Sequence, residues 1–114
     1  MKLLKSFKYA FNGLKVGFST EINLKIHLAI AVCVLFGGFI YELNSIEWIV
    51  ILLCIAQVIG LELINTAIEK LADRVSAETD PKIGLLKDIA AGGVLFSALI
   101  AVVIGLIIFL PKIL

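Results

Sequence analysis

The chain has 114 residues, 61% of them hydrophobic and 17% charged, with a mean hydropathy of +1.13. Soluble domains carry about 45–50% apolar and about 25% charged residues, and a chain this short could not hide so much apolar surface from water. Ten basic and nine acidic residues leave a net charge of +1, so composition excludes disorder, a collagen-like chain and an ordinary soluble enzyme, and no nucleic-acid partner is expected.

A single membrane-embedded unit remains. Its first element is predicted over about residues 2–18. Leu3, Phe7, Ala10, Phe11, Leu14 and Phe18 recur at helical spacing, with Lys2, Lys5, Lys8, Asn12 and Lys15 on the other faces. This pattern predicts an amphipathic helix lying on a membrane surface. No long apolar run follows directly and no small-residue cleavage site is visible, so a secretory signal is not expected.

Three apolar spans follow, over about residues 24–42, 47–72 and 88–110. The first run, Ile26 to Tyr41, is interrupted by His27 alone. The second runs from Trp48 to Leu61 without a charge, then continues at helical period through Glu62 to Ala72. The third, Ile89 to Leu110, has Ser97 as its only polar side chain. At 1.5 Å per residue it reaches about 33 Å, enough for a hydrocarbon core of about 30 Å. Cys33 and Cys54 lie inside apolar runs at no metal-binding spacing, and are expected to stay unpaired.

Cations orient the spans. Residues 1–25 hold Lys2, Lys5, Lys8, Lys15 and Lys25; residues 42–48 hold none; residues 70–88 hold Lys70, Arg74, Lys82 and Lys87. The positive-inside rule predicts a cytoplasmic N-terminus and 70–88 loop, with the 42–48 turn and the C-terminus outside. Trp48 and Tyr41 suit the outer interface. On the third span Gly93, Ser97, Ala101 and Gly105 recur every four residues, a spacing that lets helices approach closely within or between chains. Three spans enclose little space, so an oligomer is expected.

The chemistry is concentrated on the second span. Glu62, Asn65, Glu69 and Asp73 fall on one helical face, while Leu61, Leu63, Ile64, Ala67, Ile68 and Leu71 occupy the others. Measured from Trp48, Glu62 lies about 21 Å in and Glu69 about 31 Å in. An ionisable group at the depth of Glu62 costs roughly 2.5–3.5 kcal/mol or more, which makes it a functional candidate. Topology brings Glu21, Lys87 and Asp88 to the inner interface with Glu69 and Asp73. Such carboxylates suit a hard divalent cation held together with substrate phosphates. Glu62 could then deprotonate a lipid hydroxyl at the head-group boundary. Walker A and Gly-rich kinase loops are absent from the sequence. A small proton- or cation-coupled transporter using Glu62 is the alternative. It explains one buried glutamate but not Glu21, Glu69, Lys87 and Asp88 on one side. A non-catalytic interaction protein explains none of the ladder.

The run Glu62-Leu-Ile-Asn65-Thr66-Ala-Ile-Glu69, then Asp73, then Lys87-Asp88-Ile-Ala-Ala-Gly-Gly-Val-Leu95, resembles the small integral-membrane prokaryotic diacylglycerol kinases. Glu21-x-Asn23-x-x-x-His27 and Glu47-Trp48 resemble the Gram-positive-type branch, whose members phosphorylate undecaprenol. The likeness runs from about Lys5 to Lys112. It implies an all-α homotrimer in the bacterial inner membrane, with active sites shared between chains, ATP as co-substrate and Mg2+. By motif position it implies that Glu62 is the general base and that Glu21 and Glu69 hold magnesium and border the nucleotide. Lys87, Asp88 and Tyr9 match nucleotide contacts. Asn65 matches a supporting residue and Asp73 a position at the site's edge. Glu78, Thr79 and Asp80 occupy a loop that can touch ATP. The family's leading arginine has no clear counterpart; Lys2 stands nearest to it. Undecaprenol is favoured over diacylglycerol as the acceptor.

Overall fold

A computed structural model describes residues 1–76 and 80–114. The described residues form four helices and no strand: α1 (Lys2–Thr20), α2 (Ile22–Ile40), α3 (Ser45–Val75) and α4 (Pro81–Ile113). Glu78 and Thr79 of the expected ATP loop lie outside the described residues. The last three of these helices are each long and apolar enough to cross a membrane. Large side chains such as Phe36, Phe39, Phe96 and Ile107 face outward from them. Helices satisfy their own backbone hydrogen bonds, so this apolar exterior suits hydrocarbon.

The junctions follow from local sequence. A single extended residue, Glu21, separates α1 from α2 (φ −102°, ψ 118°). Its N–H donates to the Gly17 carbonyl and its own carbonyl accepts from Lys25 N–H, so it closes one helix and opens the next. Helix α2 ends with Leu43 N–H donating to Gly38 O at 3.1 Å while Glu42 sits at φ 52°. This is the six-to-one bond of a Schellman end with a left-handed residue before it. Asn44 then opens α3 in a reciprocal capping box with Glu47. The Asp80 carboxylate accepts from Lys82 N–H, and Pro81 begins α4 where its missing N–H costs nothing.

Helices α3 and α4 form the main hairpin, and α2 also packs against α3. Helix α1 touches α2 and α3 but not α4. Its docking point is Gly17, where an added Cβ would lie 2.8 Å from Leu63 Cδ2 and 3.2 Å from Leu24 Cδ1. Leu24 is fully buried there. At the far end Leu43, Ile51 and Ile108 form a buried cluster flanked by Trp48 and Phe109. A Lys112–Glu47 ion pair of 3.1 Å ties the end of α4 to the start of α3. Cys33 and Cys54 are free. The small-residue stripe does not bring α4 onto α3 throughout. Ser97 is buried, but a Cβ at Gly93 or Gly105 would meet nothing within 4 Å. The backbones of α2 and α4 do not meet, and a groove lies between them over α3.

Candidate active site

The polar face of α3 folds as one track. Glu62, Asn65 and Thr66 are the polar residues that α3 buries, at 5%, 5% and 7% exposure. They are buried because this face of α3 turns toward α2 and the Gly17 end of α1 rather than outward. Thr66 was not singled out in the sequence, since a threonine among apolar residues carries no signal of its own.

Around the Glu62 carboxyl stand His27 and Asn23 of α2 and Asn65 and Glu69 of α3. Asn23 and His27 are four residues apart and so share a face of α2. Sequence reasoning passed over both as partners of Glu62, although their i, i+4 spacing was a usable signal. Asn65 Nδ2 donates to Glu69 Oε1 at 3.3 Å. Its Oδ1 is buried and has no hydrogen-bond partner. A buried orphan acceptor costs about 1–3 kcal/mol, and such groups call for a donor or a cation.

Charges at the same end are paired across elements. Glu21 Oε1 lies 3.3 Å from Lys70 Nζ, which fastens the α1–α2 junction to α3. Lys87 of α4 pairs with Asp73 of α3. The sequence predicted an acidic cluster with a single lysine; two lysines stand in it, each on a carboxylate. Lys70 was missed because, on α3, it reads as a solvated neighbour of Glu69. Asp88 is exposed beside Lys87. Tyr9 is 71% exposed on α1, more than two turns before the Gly17 contact, and among the described residues nothing joins it to Glu62. Among the described residues no three His, Cys, Asp or Glu side chains gather closely enough to hold a metal by themselves.

The donor set nonetheless fits magnesium. Mg2+ takes hard oxygens in near-octahedral geometry, commonly one or two carboxylates with phosphates and water completing the shell. Glu21 and Glu69 supply such oxygens, and the unpartnered Asn65 Oδ1 lies one helical turn from Glu62 and from Glu69. Chemically the track offers a buried carboxylate at one level, further carboxylate oxygens beyond it, and lysines beside those.

Comparison with known proteins finds relatives of one kind. The prokaryotic diacylglycerol kinase family matches residues 8–109. An undecaprenol kinase of Bacillus subtilis is 44% identical, over 97% of this chain and 90% of its own. A diacylglycerol kinase of Synechocystis sp. is 36% identical over 98% of this chain and 65% of its own. A diacylglycerol kinase of Haemophilus influenzae is 31% identical over 94% and 92%.

Proposed function

The chain belongs to the prokaryotic diacylglycerol kinase family and is a membrane lipid kinase, and we propose that it transfers the γ-phosphoryl group of ATP to the hydroxyl of a membrane lipid alcohol at the cytoplasmic face of the bacterial inner membrane. The observation that carries this reading is the carboxylate of Glu62, 5% exposed, at the head of a track of hydrogen-bonding groups and carboxylates.

In the proposed reaction Glu62 takes the proton of the lipid hydroxyl. The freed oxygen forms a bond to the γ-phosphorus as the bond from that phosphorus to the β–γ bridging oxygen breaks, and ADP leaves with that electron pair. Phosphoryl transfer asks mainly for positioning and charge stabilisation. Asn65 orients the groups around Glu62. Lys87 and Asp88 hold the nucleotide, with Tyr9 beside it. Asp73 sits at the edge and holds Lys87 until nucleotide takes its place. Glu21 and Glu69 would hold Mg2+, which when bound neutralises charge on the triphosphate.

The acceptor we favour is undecaprenol, from the 44% identity to a protein of that activity and the Glu21-x-Asn23-x-x-x-His27 element; diacylglycerol is the other acceptor to be tested. Helix α1 lies on the cytoplasmic surface in this reading. Its outward Leu3, Phe7 and Phe11, all more than half exposed, meet lipid. Tyr9 and Asp88, both exposed, fit sites completed between chains of a homotrimer.

The test is purified protein in mixed micelles with labelled ATP, magnesium and undecaprenol or diacylglycerol. Label is expected in the lipid, and Glu62→Gln is expected to abolish it with the oligomer intact. Ion-gradient-driven uptake into vesicles with no lipid labelled would instead establish the transporter.

A further inference from the structure

Between α2 and α4 runs an apolar groove of about 240 Å3 with α3 as its floor. Ile51 and Val58 form the floor, Ile30 and Val34 one wall, Val102 and Phe109 the other. Among the described residues lining it, His27 is the one strong hydrogen-bonding side chain.

The groove and the polar track are continuous. On α3 the stripe Ile51, Ile55, Val58 reaches Glu62 at its next step, about 6 Å beyond Val58. On α2 the stripe Val34, Ile30, His27 reaches Asn23 at its next step. Both helices therefore pass from hydrocarbon to polar at one level, and His27 and Asn23 lie close enough to the Glu62 carboxyl to act on it electrostatically. At about 240 Å3 the groove falls below the range of about 300–1,000 Å3 typical of compact ligands. It has room for one slender chain. Its apolar walls match hydrocarbon, and its single imidazole matches a hydroxyl at that chain's end.

We infer that His27 is a specificity residue, which hydrogen-bonds the hydroxyl of a single-chain lipid alcohol lying in the α2–α3–α4 groove and so sets that hydroxyl against Glu62. This rests on the kinase reading and narrows its acceptor. A two-chain glyceride leaves one chain outside the groove, whereas a polyprenol presents its hydroxyl directly at the end of the chain. Ala101 and Gly105 keep the groove open, which gives the small residues of α4 a use other than helix contact.

The experiment compares wild type, His27→Leu, His27→Gln and Gly105→Leu, full length, in mixed micelles with undecaprenol or dioleoylglycerol. For undecaprenol, His27→Leu is expected to lower kcat/KM about tenfold, the loss of one hydrogen bond to substrate, with the KM for ATP unchanged. His27→Gln, which keeps a donor and an acceptor, is expected to recover most of it. Gly105→Leu fills the groove where the glycine has no neighbour within 4 Å. It is expected to weaken undecaprenol use by a similar factor and dioleoylglycerol use less, with oligomer size unchanged. Wild-type undecaprenol kinetics in both His27→Leu and Gly105→Leu would overturn the inference while leaving the kinase intact. So would a change of oligomer size in Gly105→Leu, because the groove would then hold a second copy of the chain. Should His27→Leu fail to fold, a wild-type undecaprenol KM in Gly105→Leu overturns the inference by itself. Absence of transfer to any lipid by wild type would sink the kinase reading itself.

Discussion

Lys70 Nζ lies 3.3 Å from Glu21 Oε1, so the one carboxylate at the α1–α2 junction is held by a lysine from α3. Lys70 is mostly exposed and the Glu21 side chain less so. An ion pair in that setting contributes roughly 0–1 kcal/mol. Its larger consequence concerns what else Glu21 can bind. A cation ligated by Glu21 must displace Lys70 or share the carboxylate with it. Replacing Lys70 by methionine is expected to shift Tm by no more than about 5 °C. The same change is expected to tighten Mn2+ binding, followed by paramagnetic resonance without ATP, about two- to threefold. Unchanged or weaker Mn2+ binding would remove Glu21 from the cation site.

Asn65 presents the opposite balance between stability and activity. Its buried Oδ1 is unpartnered, and its hydrogen bond to Glu69 is long at 3.3 Å. An orphan acceptor costs about 1–3 kcal/mol, whereas a hydrogen bond contributes about 0.5–1.5 kcal/mol net. Asn65→Leu keeps the volume and removes both. Thermal unfolding in detergent is expected to show an equal or higher Tm, while lipid phosphorylation falls about ten- to hundredfold. Such a pairing marks a residue retained for its chemistry. A lower Tm with normal turnover would make Asn65 a structural residue instead.

The features that were legible in the sequence share one property: each is periodic along a single helix. The apolar run of α4 and the Glu62–Asn65–Glu69 ladder are visible because side chains three and four residues apart share a face. What escaped was pairing between helices. Lys70 reads as a solvated charge until α3 is laid against the α1–α2 junction. His27 reads as a blemish in an apolar run until α2 brings it to Glu62. The α1–α2 break was equally hard to place. Thr20 returns its hydroxyl to the Val16 carbonyl at 2.6 Å, and helical geometry persists to Thr20 itself. The chain then turns on one residue, with neither glycine nor proline to announce it. Gly105 suited close helix packing by its spacing, but which helix or cavity it faces depends on the tilt between α3 and α4, which no spacing encodes.

Two glycines separate close packing from open space. A Cβ on Gly38 would lie 2.5 Å from Trp48 Cη2 and 2.9 Å from Cζ2. The indole has little freedom to retreat, because Phe39 packs on it with ring centroids 5.0 Å apart. Overpacking of this kind costs about 1–3 kcal/mol. Gly60, inside α3, has nothing within 4 Å of the corresponding position. Alanine there gains the helix propensity that glycine lacks, about 0.8–1.0 kcal/mol. Gly38→Ala is therefore expected to lower Tm in detergent, and Gly60→Ala to raise it. Trp48 fluorescence is expected to shift in the Gly38 variant alone. A destabilised Gly60→Ala with unchanged fluorescence would mean that another chain packs against that side of α3. Such a result would locate a contact between chains at residue 60, on the same helix as Glu62.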